Sequence, residues 1–557
     1  MSVVRENLIG AAIRRADALV DYNIYDNNDN IDKRLEFQKQ VILADESLTK
    51  DEKSEAIREL NKIYDGNKIV LNKGTRRVCE NCNQKCLATL YCEFCVRNCL
   101  KAKFSNWTSG NDDIDNLVQE CQMKTAEPYC IVEWIPYSNL ININYLTKGG
   151  CSEIYTAEWI HGCYYGWDSK EQQLKRYGNQ VVILKKLENV ESANKRWFEE
   201  AISHLNLSNK WSDTIVQCYG LTQDPLNGDY MLVMNKLDID LRKYLQQNHN
   251  QLTWKERIQI AAEIILSLLR IHDENAIHRD LHSGNILLRI GGHCIISDLG
   301  FCGPADRPLK SIYGNLPYIA PEVIAGKKTT FESDIYSIAM LMWEISSGQP
   351  PFNNYEHDYY LAMNIVNGMR PKIVPGTPIE YKNLMIQCWD ANPLKRPDTV
   401  TLMEEIYKLN LIYQTKSDDL VQLKENDSLY MNSSENYTSS SKLFTSKIHQ
   451  FENLPEPRNA TEEEQQAFHS NKSYDFHIPN NIDDIGNLGS QNNNSSKITS
   501  SNKSFKRRLE NDYQEIMQQM KRDHINIDDE EEIYNNPNFH SEEQDEFELP
   551  ENMDEIN

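Results

Sequence analysis

Apolar and polar positions along this chain fall into contrasting patterns. Between residues 31 and 66 the apolar positions follow a helical period. Ala56, Ile57, Leu60, Ile63 and Tyr64 recur at three- and four-residue spacing behind Thr49-Lys50-Asp51-Glu52, which fits a capping box. That predicts a small helical hairpin. Farther along, short apolar runs replace the helical period. Val181 to Leu184, Ile286 to Leu288 and Ile295-Ile296 read as strands. Trp197-Phe198-Glu199-Glu200 lies on a predicted helix, and Ser333 to Ser337 opens a buried one. After Lys408 the periodicity fades. From about residue 416 to 500 Ser, Asn, Asp and Glu dominate, a composition that cannot bury enough apolar surface to offset chain entropy. Residues 504 to 522 are compatible with an isolated helix.

These shifts divide the chain into a helical segment (1–70), a Cys-rich segment (71–105), a linker (106–139), a core-bearing domain (140–412) and a mostly disordered tail (413–557). Composition narrows the function. The formal net charge of −24 opposes binding to nucleic acid or anionic membranes, although the last thirty or so residues carry part of it. No apolar run reaches bilayer-spanning length. Met1 to Glu6 lacks an apolar signal region, and Ser2 stands where myristoylation needs glycine. A cytoplasmic protein is expected, with nuclear entry left open by the short basic run Lys503 to Arg508. Its 14 cysteines are then thiols or metal ligands rather than disulfides.

Four cysteines stand out. Cys79-x-x-Cys82 and Cys92-x-x-Cys95 are separated by nine residues. Two such knuckles place four thiolates tetrahedrally around Zn²⁺, with sulfur about 2.3 Å from the metal. A metal also supplies stability that so short a segment cannot draw from an apolar core. Cys86 and Cys99 extend each half, but one zinc on Cys79, Cys82, Cys92 and Cys95 is the favoured arrangement.

The densest chemical signal is His278-Arg279-Asp280-Leu281-His282-Ser283-Gly284-Asn285. It resembles the HRD-L-x-x-x-N catalytic loop of protein kinases. There an Asp orients the substrate hydroxyl and takes its proton, and an Asn five residues on reaches a Mg²⁺ on the ATP phosphates. The other parts follow in kinase order. Val182-Ile183-Leu184-Lys185 resembles the strand whose lysine grips the α- and β-phosphates, with Lys185 preferred to Lys186 because it closes the apolar run. Glu200 is the expected carboxylate partner of Lys185, with Glu199 second. Ile295-Ile296-Ser297-Asp298-Leu299-Gly300 resembles a strand entering a DFG turn, with Asp298 on Mg²⁺. Ala320-Pro321-Glu322 closes the activation segment, and Arg396 is the expected partner of Glu322.

The chain departs from the kinase pattern in places, with Leu299 standing for the Phe of the DFG turn. Leu146-Thr147-Lys148-Gly149-Gly150-Cys151-Ser152-Glu153-Ile154-Tyr155 aligns with the glycine-rich phosphate loop, but Thr147 and Ser152 replace its first and third glycines. Approach of backbone N–H groups to phosphate is hindered rather than blocked, so weakened ATP binding is expected. Leu146 to Gly150 and Ile154 remain the expected nucleotide contacts, with Met234 gating the back of the adenine pocket before the hinge Asn235-Lys236-Leu237. His282 stands where many Ser/Thr kinases carry a Lys. In the activation segment Ser311 and Tyr313 are candidate phosphorylation sites, with Arg279 as the phosphate's partner. All five charged or chelating groups, Lys185, Glu200, Asp280, Asn285 and Asp298, are nevertheless present. An active Ser/Thr kinase is the favoured reading, and a pseudokinase scaffold that binds nucleotide weakly is the alternative.

The chain also resembles an expanded family of fungal tyrosine-kinase-like protein kinases. In that family a CxxC…CxxC segment precedes a stretch like Asn106 to Asp115, then one like Glu133 to Tyr137, and the tail carries a phrase like Asn453 to Ala460. The resemblance implies an α+β, two-lobed protein kinase fold, preceded by a small helical and Cys-rich segment and followed by a disordered acidic tail. It implies ATP and Mg²⁺ as ligands and protein substrates as partners in signalling. The tail is a further candidate for binding other proteins.

Overall fold

The computed structural model describes residues 5–20, 31–148, 152–187, 196–237, 239–289, 292–304, 312–415 and 445–470. The candidate contacts Gly149 and Gly150, and the candidate phosphorylation site Ser311, lie outside them, as do residues 504–522.

The N-terminal segment is a three-helix bundle of Glu6–Ala18, Ile31–Ala44 and Lys50–Leu71. Ile9, Ile13, Leu35, Ile42, Ala56 and Leu60 interlock at its centre. The capping box opens the third helix: Thr49 Oγ1 accepts from the Glu52 N–H (3.3 Å), and Glu52 Oε2 accepts from the Thr49 N–H (2.9 Å). The helix Glu6–Ala18 adds a third member to the hairpin expected from the sequence. It also reaches the large lobe, where the Tyr407 hydroxyl donates to Asp17 (3.0 Å).

A six-stranded sheet forms the small lobe, in the order Glu133–Trp134, Cys218–Gln223, Tyr230–Asn235, Gln180–Lys186, Glu153–Trp159, Leu140–Lys148. All neighbours are antiparallel except the first pair. Residues 106–139, expected as a linker, are therefore partly built into this lobe. They supply its edge strand and the helix Asp112–Lys124, which is capped by the Asn111 side chain. Ile114, Leu117, Val118 and Cys121 of that helix share a core with Trp197, Leu205, Cys218 and Leu232. Trp197 also stacks flat on Tyr230, with centroids 4.9 Å apart.

The large lobe is helical, built on Trp254–Asp273, Phe331–Ser347 and Thr399–Thr415. The helix Phe331–Ser347 is buried on every side from Ser333 to Ser347 and runs through the centre of this core, its polar residues included. Arg396 grips Glu322 with two parallel hydrogen bonds (2.8 and 2.7 Å), both groups being buried. That is the pairing expected from the sequence, and it ties the end of the activation segment to the lobe.

Residues 445–470 of the segment expected to be a disordered tail are structured. They run over the large lobe as a strand, Lys447–His449, and a helix, Glu462–Ser470. Phe451, Leu454 and Phe468 pack against the lobe's core. Gly368 (φ +92°) admits the tail's backbone, since a Cβ there would sit 2.2 Å from the Ala460 nitrogen.

Candidate active site

Strand register places the lysine. Lys185 lies opposite Ile154 on one side and Leu232 on the other, facing the cleft between the lobes. The pleat sends Lys186 the other way, to Asp229 (2.6 Å). Lys185 Nζ sits between Glu200 Oε1 (2.7 Å) and Asp298 Oδ1 (2.6 Å), while Glu199 is exposed on the same helix. Burial alone would discharge the amine. The two carboxylates outweigh it and lift the Lys185 pKa above its ordinary value. Burial likewise opposes the Asp298 charge, but Lys185 overcomes it and holds that carboxyl below the usual range. One turn beyond Glu200, His204 is fully buried within 4.8 Å of Glu200 and Asp298. Burial, reinforced by Lys185, depresses its pKa to about 3, so it stays neutral.

A short antiparallel pair, Ile286–Leu288 with Cys294–Ile296, brings Asn285 and Asp298 to the same end of a hairpin. The Ser297 N–H donates to the Asn285 carbonyl (2.8 Å) and locks that end. Asn285 Nδ2 donates to the Asp280 carbonyl (2.9 Å), which leaves the amide oxygen as its other polar end. Asp298 adopts φ +55°, a left-handed conformation uncommon for a residue with a side chain, and Arg279 does the same at +69°. The strained catalytic loop is held from below by Asp334. Its carboxylate accepts from the N–H groups of His278 (2.8 Å) and Arg279 (3.0 Å). His272 offsets the burial of Asp334 and keeps it ionised, with its pKa below the ordinary value.

Asp280 is buried, and burial, with the nearby Asp298 charge, pushes its pKa up to about 7. Its Oδ1 accepts a hydrogen bond from the hydroxyl of Ser446 in the tail (2.8 Å). His282 contacts the same hydroxyl through Nε2 (3.0 Å). His282 Nδ1 accepts from the Gly284 N–H (3.0 Å), so Nε2 of this neutral ring carries the proton and donates to Ser446. Burial holds His282 well below its ordinary pKa and so keeps it neutral.

The remaining expected residues are placed as follows. Leu146 is exposed at the end of its strand, and Thr147 and Lys148 pair with Ile154 and Glu153 across the loop. Ser152 is buried. Met234 is buried in the small-lobe core, opposite Ile183. In the activation segment Tyr313 is buried and stacked on Phe301, with centroids 3.7 Å apart. The Arg279 guanidinium donates to Thr329 (3.2 Å) and to the Phe301 carbonyl (2.8 Å).

The four sulfurs of Cys79, Cys82, Cys92 and Cys95 all lie within 4.8 Å of one another. Cys79 and Cys95 are 3.7 Å apart, and Cys82 and Cys92 3.6 Å. Cys86 packs beside them, its sulfur within 4.8 Å of Cys92, and its thiol donates to the Arg77 carbonyl.

Sequence reasoning passed over Asp334, His204 and Ser446. Asp334 and His204 have no chemistry until a loop and an ion pair are folded against them. Ser446 is one hydroxyl among many in a polar tail.

Residues 140–406 match the family described as protein tyrosine and serine/threonine kinase, so the chain carries a protein kinase domain. It is similar to dual specificity protein kinase zakA of Dictyostelium discoideum, at 30% identity over 199 residues, covering 32% of this chain and 26% of that protein. The dual serine/threonine and tyrosine protein kinase of Homo sapiens is 34% identical over 171 residues, covering 30% of this chain and 18% of that protein. Its namesake in Apis mellifera is 30% identical over 213 residues, or 36% and 22%. The chain thus spans a quarter or less of the length of most of these relatives.

Proposed function

We propose that this protein is an active kinase that transfers the γ-phosphoryl group of ATP to protein hydroxyls, chiefly those of Ser and Thr, in intracellular signalling. The observation that carries the reading is the closed ion cluster Glu200–Lys185–Asp298 above Asp280 and Asn285. In this reading Lys185 binds the α- and β-phosphates, and Glu200 fixes Lys185. Asp280 orients the acceptor hydroxyl and takes its proton. Asp298 and the amide oxygen of Asn285 offer Mg²⁺ the hard oxygen donors it prefers. Bound there, the ion would neutralise charge on the phosphates. Leu146 to Gly150, Ile154 and Met234 are the proposed nucleotide contacts. Full-length protein incubated with Mg-ATP and a basic protein substrate should yield phosphoserine and phosphothreonine on hydrolysis. Phosphotyrosine alone would overturn the Ser/Thr assignment.

We further infer one Zn²⁺ on Cys79, Cys82, Cys92 and Cys95. Bonds of about 2.3 Å to a tetrahedral ion require sulfurs about 3.8 Å apart, close to the spacing of both pairs. Metal analysis of the full chain should give one zinc per molecule. Cys79→Ser or Cys92→Ser should lose it and lower the melting temperature while phosphoryl transfer persists. A chain that folds with no zinc would refute the assignment. The cysteine module and the Asn106 to Asp115 and Glu133 to Tyr137 stretches support placement with the fungal tyrosine-kinase-like group. We infer a cytoplasmic setting from the sequence, in which the cysteines serve as thiols or metal ligands. No described helix is long and apolar enough to cross a membrane.

A further inference from the structure

The groove in front of Asp280 is occupied by the chain itself. Lys447–His449 pairs antiparallel with Ile312–Gly314 of the activation segment, in the register Gly314 to Lys447, Tyr313 to Ile448 and Ile312 to His449. Addition of an extended peptide to an exposed strand is a general mode of peptide recognition, in which backbone bonds give affinity and alternate side chains give specificity. Along this segment Ser446 and His449 are buried against the lobe, whereas Lys447 and Ile448, the latter 61% exposed, face out. His449 Nε2 reaches the Gly314 carbonyl (3.0 Å), and Lys447 Nζ donates to the His357 carbonyl (3.4 Å).

Contacts farther along hold the strand in register. The Phe451 ring lies against His449 and Tyr359. The Arg458 N–H donates to the Val366 carbonyl (3.1 Å), and the Asn459 side chain accepts from the Ala391 N–H (2.9 Å). Gln465 donates to the Gly368 carbonyl (2.7 Å), and Phe468 stacks on Tyr355. With these anchors set, the residue one step before the paired strand meets Asp280, and that residue is a serine. The two bonds at its oxygen fix the hydroxyl's direction. His282 donates to Oγ, so the Ser446 proton can only point at the carboxylate. A segment serving only as a plug would need no hydroxyl at that position.

We propose that Ser446 is a phosphoacceptor of this same site, modified in cis. The proposal rests on the kinase reading above. Ser446 Oγ forms a bond to the γ-phosphorus of ATP as the bond from that phosphorus to the β–γ bridging oxygen breaks. ADP leaves with the electron pair, and the hydroxyl proton passes to Asp280. The recognised sequence is a serine followed by a basic, an apolar and a histidine residue. The product phosphate would carry nearly two negative charges beside Asp280, which disfavours the docked strand and opens the groove to other proteins.

The test uses full-length protein with Mg-ATP, a basic protein as external acceptor, and mass-spectrometric mapping of residues 443–447. Phosphate at Ser446 is expected, absent from Ser446→Ala and from Asp280→Asn. Its rate per chain should not change over about a hundredfold dilution, as an intramolecular step requires. Phosphorylation of the external protein with none at Ser446, or with phosphate on Thr445 alone, overturns the proposal while leaving the kinase reading intact. A rate that scales with protein concentration overturns the cis assignment. No transfer to either acceptor overturns the kinase reading and this proposal with it.

Discussion

The acceptor hydroxyl at Asp280 is held from two sides, by the carboxylate and by the Nε2–H of His282. His282 replaces a cation with a neutral donor, because its ring is buried and its other nitrogen is taken by the Gly284 N–H. One neutral hydrogen bond is worth about 1 kcal/mol, which is about fivefold in rate. His282→Ala should therefore lower kcat toward an external protein by about that factor, measured at saturating ATP. A loss of several orders of magnitude would instead place His282 among the groups on which transfer depends. The phosphate loop makes a second prediction at this scale. Thr147 and Ser152 bring side chains where glycines would let backbone N–H groups approach phosphate, so Thr147→Gly with Ser152→Gly should lower the KM for ATP. An unchanged or raised KM contradicts this account of the loop.

Among the elements, the contact between the helix Lys50–Leu71 and the turn at Glu127 makes a pH prediction. Gly66 lets the buried Glu127 carboxyl approach so closely that a Cβ would lie 1.7 Å from Oε1. Burial raises that carboxyl from 4.5 to about 8. Between those values the folded chain keeps a proton that the unfolded chain has lost, so this group makes stability fall as pH rises from about 5 to about 8. Glu127→Gln should flatten the change in melting temperature across that window, and an unaltered slope would contradict the assignment. The elements also show what a sequence carries. The cap at Thr49, the strand ending in Lys185 and the loop from His278 to Asn285 are legible because their signals are local: a capping pair, an apolar run, a fixed spacing. The structure brings Lys185, Glu200, Asp280, Asn285 and Asp298 to one cleft, and those were readable as ordered motifs. The helix Asp112–Lys124 was read as linker because its apolar stripe acquires a partner only some eighty residues later, at Trp197 and Leu205. Residues 445–470 were read as part of a disordered tail because backbone hydrogen bonds and a few aromatic contacts dock them, and neither leaves a periodic pattern.

In the whole molecule, residues 445–470 lie on the large lobe with Ser446 to His449 in front of Asp280, and on the proposal above access for other proteins depends on release of that strand. Phe451 anchors that strand and is partly buried, so its ring contributes less than the about 1.5 to 3 kcal/mol of full burial. Phe451→Asp should free the groove and lower the KM for an external protein by about tenfold, the factor that 1.4 kcal/mol represents, with kcat little changed. Equal KM values in variant and parent would show that the strand does not compete with substrate. The central claim, that the cluster around Asp280 transfers phosphate, is tested most directly by phosphate incorporation into a basic protein. Wild type and Asp280→Asn would be compared at equal, high concentrations with saturating Mg-ATP. The account predicts transfer by wild type, a fall of about 10² to 10⁴ in the variant from loss of the general base, and retained nucleotide binding in both. Incorporation by wild type no greater than by Asp280→Asn would contradict it.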